Sequence, residues 1–287
     1  MNESRIEELS NTICKIPIDA FNRIDVEEPE YKTFDNLRKT YGALASSKLD
    51  CYLALLGIGT GLIDYQQKNP GKSVWQPLER IVFQMGVPST IDEARSIHLR
   101  LASSSRFRTV KAARIKRMYE SGFASWFEQS HLSERRRDPY NTWRTLADHM
   151  HDPMDKKTIV MAMKAFDMET LAVTKNYLPF PPNIPIVVDS RIAYVSLSSG
   201  IIFVEKDTSI DDIASRYRTQ IINAWSQVIR GARRVLGNEL NAFRLDSLIW
   251  QAGEYRNPDS LLSYLRRMRI PSDIASGIVS QILWKEV

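Results

Sequence analysis

Four of the thirteen prolines in this chain, Pro179, Pro181, Pro182 and Pro185, fall within seven residues of the segment LPFPPNIPIVVD at 178–189. Proline lacks the amide hydrogen that a helix uses, and its ring collides with the preceding turn, so no helix runs through this stretch. It reads as a stiff extended connector that ends at Asp189, ahead of a new helical pattern over 190–197. Two readings fit it: a domain linker, or a rigid arm that holds Asp189 at a domain junction. Nearly everything else has helical period. Segment 51–66 is apolar and too long for a strand, which predicts a buried helix. Helices are also predicted over 37–49, 76–85, 90–102, 109–119, 140–150, 157–169, 210–235, 244–252, 258–268 and 272–284. Thr90 and Glu93 have the spacing of a capping box. Asn257 is an N-cap ahead of Pro258, and Pro271 falls where a first-turn proline is tolerated. The best strand candidate, 184–188, is short. The chain reads as all-α.

Composition narrows the class. The 287 residues are 43% hydrophobic and 25% charged, which supports a sizeable core and excludes wholesale disorder and fibrous designs. No apolar run approaches the ~20 residues of a membrane span. The opening MNESRIEELS has no basic region followed by an apolar core, so a soluble cytoplasmic protein, nucleoid-associated if it handles DNA, is expected. Two cysteines, Cys14 and Cys51, exclude a four-thiolate metal site within one chain and make no disulfide framework. Cys51 stands in an apolar run and is expected in the core.

The net charge of +5 is unevenly placed. Residues 1–35 hold nine acids and four bases. Residues 101–119 carry Arg106, Arg108, Lys111, Arg114, Lys116 and Arg117 with no acid, and residues 213–234 carry five arginines with no acid. Such stretches fit contact with a polyanion, Arg114 and Lys116 being the natural phosphate ligands; a solvated helix face is the plain alternative.

Several motifs fail on context. GIGTG at 57–61 follows no strand and sits inside an apolar helical run, so it is no dinucleotide loop. NPGKS at 69–73 would need a glycine at position 66, which is Gln66. In DHMHD the metal-capable Asp148, His149, His151 and Asp152 do not share a helix face, and His98 and His131 stand alone.

Chemistry remains in two places. In DPMDKKTIVMAMK at 152–164 one helical pattern has ended near Met150, Asp152 and Pro153 make a short turn, and a second helix starts near Lys156 or Lys157. The free amides at such a start suit a phosphate. Lys157, Met161 and Lys164 are spaced i, i+4, i+7 and share one face. Amines that come close on one face depress each other's pKa, and a lysine so lowered is a nucleophile for Schiff-base chemistry. Two solvated lysines on an amphipathic helix are the alternative. The second place is Asp189, immediately before a helix. It is either a plain N-cap, a role asparagine fills about as well, or a carboxylate that stabilises cationic character at a sugar's anomeric carbon.

Taken together, Lys157-Thr158 after a hairpin and a V-D pair after a Pro-rich arm resemble the helix-hairpin-helix DNA glycosylase superfamily. The hairpin lacks the superfamily's usual L-P-G-V-G, and the lysine-to-aspartate spacing of 32 is longer than in endonuclease III-like members. Both departures fit one branch. KKTIVMAMKAFDM followed by LPFPPNIPIVVDSRIAYVS is similar to the archaeal 8-oxoguanine (GO) DNA glycosylase family, with Val187 in place of its usual proline and Ile192 in place of valine. LDSLIW at 245–250 resembles the family's L-D-S-x-x-W element. GLIDYQQKN, with Trp75 nine residues beyond Gln66, resembles its S-Y-Q…W stretch, with Asp64 where the serine stands.

The resemblance implies a two-domain, all-α fold with the active site in the interdomain cleft: a central domain at 49–184, and a second domain of 1–48 with 185–287. It implies that Lys157 is the nucleophile and Asp189 its carboxylate partner, the two facing each other where the domains meet. Lys164 is then an electrostatic neighbour and Met161 a pocket wall. Asp246 and Trp250 contact and stack on the extruded base, and Trp75 and Gln66 also belong to the pocket. The implied activity is bifunctional, N-glycosylase and AP lyase, on 8-oxoguanine in DNA, with no cofactor, by a monomer. Two rivals stay open: a non-catalytic helical DNA-binding module, and the same mechanism on another damaged base.

Overall fold

The computed structural model describes residues 1–41, 47–65, 72–205 and 207–284. Among these residues the chain forms α-helices and a single 3-10 turn (Gly237–Glu239), with no strand. In chain order the first helices are α1 (Glu3–Ile13), α2 (Ile18–Asp25), α3 (Pro29–Tyr41), α4 (Ser47–Ile63), α5 (Lys72–Met85) and α6 (Ile91–Ser103). Next come α7 (Arg108–Glu120), α8 (Phe123–Gln129), α9 (Leu132–Arg137), α10 (Pro139–Met150) and α11 (Lys157–Thr174). The last are α12 (Ser190–Ser198), α13 (Ile210–Arg216), α14 (Arg218–Leu236), α15 (Ala242–Ala252), α16 (Pro258–Arg267) and α17 (Ser272–Ile282). No helix among the described residues is long and apolar enough to cross a membrane.

The chain divides into two compact units, 26–181 and 1–25 with 182–287. The arm therefore carries the change of unit between Pro181 and Pro182. The N-terminal part of the second unit ends at Asp25, where the sequence reading ended it at 48; α3 packs on α11 and α5 and so belongs to the central unit.

In the central unit α11 is the hub, lying against α4 and α3. The glycines of GIGTG explain how closely. A Cβ added at Gly61 would come within 2.6 Å of Ala162 Cα on α11, and one at Gly59 within 2.3 Å of the His98 ring on α6. The motif is thus a close-packing surface on a buried helix. His98 fills that space with both ring nitrogens engaged, Nδ1 with the Tyr119 hydroxyl at 2.8 Å and Nε2 with the Leu56 carbonyl at 3.1 Å. Burial pushes its pKa down to about 4. Arg136 ties α9 to α4 and α11 through Asp50 at 3.1 Å and Glu169 at 3.2 Å. Cys51 is buried, its thiol pushed up to about 12 by desolvation.

In the other unit α1 packs on α14 and α17, α2 on α15, and α12 on α13 and α15. A buried ion pair, Arg244 Nε to Asp25 Oδ2 at 3.2 Å, fixes α15 to α2. Several start signals act as expected. Thr90 accepts from the Glu93 amide, although the Glu93 carboxylate turns to Ser89 rather than to Thr90. Asn257 caps α16 with Pro258 at its first position. Pro271 is the residue before α17 instead of its first. The 210–235 pattern is two helices, broken at Tyr217. The 184–188 strand candidate is extended backbone without a strand partner.

Candidate functional site

The hairpin forms where the spacing placed it. Helix α10 ends at Met150, His151 closes it with a left-handed φ of 53°, and α11 begins at Lys157. The turn is held from three sides. The Trp143 indole N–H donates to the Met154 carbonyl at 2.7 Å. Arg117 donates to the Met150 carbonyl at 3.2 Å. Arg114 donates to Asp152 at 2.6 Å and also to the Thr158 hydroxyl. Arg114 is therefore committed to bracing the hairpin, which corrects its reading as a free phosphate ligand; Lys116 on the same helix is exposed. DHMHD likewise holds no metal set: His149 Nδ1 engages the Ser121 carbonyl and Asp152 pairs with Arg114.

Lys157 is the first residue of α11, a helix with no side-chain cap, and it is half-buried. Among the described residues its amine has no hydrogen-bond partner. Met161, one turn on, is half-buried as well. Lys164, two turns on, is buried and pairs with the buried Glu28 at 3.3 Å. Around this face lies a set of charges that the sequence reading did not assemble. Glu30 is buried, and burial together with the neighbouring Glu28 holds its carboxyl well above the usual range. Asp64 follows α4, and its enclosed carboxylate is pushed up to about 6 by desolvation. That rise is opposed by a 2.9 Å bond from Trp75 Nε1 and by the charges of Lys111, Lys157 and Lys164. Lys111 on α7 is fully buried; its ammonium lies 4.9 Å from the centre of the Tyr65 ring and has no hydrogen-bond partner among the described residues. Burial brings its pKa down to about 8, against the pull of Asp64. Three lysines from two helices thus act on one carboxylate. These residues sit on α3, α4, α7 and α11, so no local spacing announces them; Asp64 at the family's serine position was the one available signal.

Trp75 is fully buried, edge-on to Phe34 at 6.0 Å, with its N–H on Asp64. It lines the back of this charge set. Gln66 lies outside the described residues.

In the other unit Asp189 is the N-cap of α12. Its Oδ1 accepts from the amides of Arg191 at 2.9 Å and Ile192 at 3.0 Å. Its Oδ2 accepts from the indole N–H of Trp250 at 2.9 Å. The guanidinium of Arg191 covers one face of that indole, 4.0 Å from the ring centre, and pairs with Glu254 at 2.5 Å. Gly253 permits this closeness, since a Cβ there would meet Arg191 Cβ at 3.1 Å. Asp246 is buried, and its Oδ1 accepts from the Val187 amide at 3.1 Å, pinning the arm two residues before Asp189. The structure therefore brings Asp189 and Trp250 together, gives Asp246 a bond to the arm, and gathers Lys157, Lys164 and Trp75 around Asp64.

Comparison with known proteins finds relatives over most of the chain. A curated relative, an N-glycosylase/DNA lyase of Pyrobaculum aerophilum, is 23% identical over 252 residues, covering 88% of this chain and 87% of the relative. The crystal structure of Pa-AGOG, the 8-oxoguanine DNA glycosylase of the same organism, complexed with 8-oxoguanosine, superposes with a TM-score of 0.70 at 18% identity, over 99% of this chain and 98% of that one. Residues 10–272 match the family described as AGOG: N-glycosylase/DNA lyase, and with that span of the chain matched, this protein belongs to the AGOG family of N-glycosylase/DNA lyases.

Proposed function

We propose that the chain excises 8-oxoguanine from DNA through a lysine Schiff base and then cleaves the strand by β-elimination. The observation that carries this reading is Lys157: a half-buried amine, without a hydrogen-bond partner among the described residues, at the start of the second helix of the hairpin in an AGOG-family chain. The 8-oxoguanine assignment is supported by the ligand and name of the solved structure this chain resembles.

In this mechanism the base is extruded from the duplex, because C1′ is out of reach inside the stack. The neutral amine of Lys157 attacks C1′; the bond from C1′ to N9 breaks, and the base leaves with the electron pair and takes up a proton. Asp189 supplies the fixed negative charge that stabilises oxocarbenium character at C1′. The aminal opens to an iminium. Loss of a C2′ proton then expels the 3′ phosphate, and water releases Lys157. Met161 and Trp75 contribute pocket walls, and Lys164, neutralised by Glu28, completes the nucleophile's face.

Borohydride trapping on a panel of duplexes, each with a different damaged base, tests both parts. An adduct with 8-oxoguanine DNA that disappears in Lys157→Gln, while DNA binding survives, is the expected result. A chain that binds DNA but traps nothing is a non-catalytic module. Trapping that favours another lesion keeps the mechanism and overturns the substrate.

A further inference from the structure

Trp250 occupies a position where a flat ring invites a stacking role. Its surroundings in the structure describe a further task. The indole has one polar atom, Nε1–H, and that atom is spent on Asp189 Oδ2 at 2.9 Å. One face of the ring is covered by Arg191, whose guanidinium is held in turn by Glu254. With two α12 amides on Oδ1, the Asp189 carboxylate has donors on both oxygens, two from the backbone of α12 and one from α15. The backbone donors hold one carboxylate oxygen; the indole, placed by another helix, holds the second, so both oxygens and the plane of the carboxylate are fixed. A transition-state charge is stabilised most by a partner that need not reorganise when the charge develops.

We infer that Trp250 is a positioning residue for the reaction, acting through Asp189 whether or not its ring also meets the released base. Arg191 is the clamp that keeps the indole edge on the carboxylate. The inference rests on the proposed role of Asp189.

A double-mutant cycle decides it, because a group that works only through Asp189 has nothing left to do once Asp189 has lost its charge. Single-turnover excision of 8-oxoguanine is measured for the wild-type chain, Trp250→Phe, Asp189→Asn and the double variant. Phenylalanine keeps a flat aromatic surface and removes the N–H. Trp250→Phe alone is expected to slow excision by about tenfold or more, the usual size for a hydrogen bond to a charged group. In the Asp189→Asn background the same change is expected to cost less than about twofold. Trp250→His, which retains a ring N–H, is run beside it; it is expected to lose less than Trp250→Phe in the wild-type background only, and it carries the test if phenylalanine does not fold. Equal losses in both backgrounds would mean that Trp250 acts independently of Asp189, as a stacking surface or core residue does, and would overturn the inference. So would no loss in the wild-type background. An Asp189→Asn chain that excises at the wild-type rate removes the role of Asp189 itself, an outcome separately visible from the single variant.

Discussion

The surroundings of Lys157 and of Asp189 are opposites. The lysine begins a helix without a cap and keeps no hydrogen bond among the described residues. The aspartate is held by three donors from two helices. The proposed chemistry explains the contrast. An attacking amine must travel, change hybridisation and later detach, so a strong hydrogen bond in the resting state opposes it. A carboxylate that stabilises developing positive charge works best when already fixed. One unit holds an amine without a hydrogen bond among the described residues, the other a carboxylate fixed by direct bonds.

The contrast breaks first at Asp189→Asn. Excision should fall roughly 100- to 1000-fold, the usual loss for a preorganised electrostatic partner. The capping amides accept asparagine as readily as aspartate, but the new amide then points N–H groups at the Trp250 N–H. A stability loss of about 1–2 kcal/mol is expected from that unpaired donor, more than a simple cap exchange gives, and thermal melting reads it. An unchanged melting temperature would mean that the indole bond is weak, and a rate within threefold of wild type would leave Asp189 as a cap.

Arg114→Ala addresses the mobile side. It frees Asp152 and Thr158 and loosens the turn that sets Lys157, so stability should drop by about 1–2 kcal/mol, with slower trapping and little change in the salt dependence of DNA binding. Lys116→Ala should do the reverse: melting unchanged, DNA affinity weaker on any sequence, and the salt slope shallower by about one. If Arg114→Ala changes the salt slope as much as Lys116→Ala, the brace is also a phosphate contact.

The effect at Asp64 is one that only a change of pH reveals. Its folded pKa, about 6, lies above that of an unfolded aspartate, so the folded chain holds the extra proton between pH 4 and 6. Stability from this group is therefore greatest in acid and declines as pH rises through that window. Asp64→Asn should flatten that part of the melting-temperature profile. An unaltered slope would place the titration on another group, Glu30 being the nearest alternative.

How much of this was readable without coordinates depended on distance along the chain. The hairpin was legible because Asp152 and Pro153 mark the turn and the 3.6 period resumes at Lys157. The arm was legible because proline is unambiguous. The helix expected over 37–49 begins inside α3 and crosses 42–46, which lie outside the described residues; the signals of α1 and of the start of α3 are present in the sequence: Asn2 caps α1, whose Ile6, Leu9 and Ile13 share a buried face, and Pro29 opens α3 ahead of Tyr31, Phe34 and Leu37. The 210–235 period continues smoothly through Tyr217, so the break there has no sequence mark. Contacts such as Trp250 with Asp189, 61 residues apart, and Lys111 beside Asp64 depend on how helices pack, which spacing cannot express.

The arm has an attachment in each unit. Asp167 accepts from the Leu178 amide at 2.7 Å in the central unit, and Asp246 accepts from the Val187 amide at 3.1 Å in the other. The residue that fastens the arm and the residue that reacts need not coincide. An Asp246→Ala chain that loses excision has two readings, a damaged base pocket and an arm released two residues from Asp189. Alanine scans of this protein need Asp246→Asn, which keeps an acceptor for the Val187 amide, before any loss at that position is credited to lesion recognition.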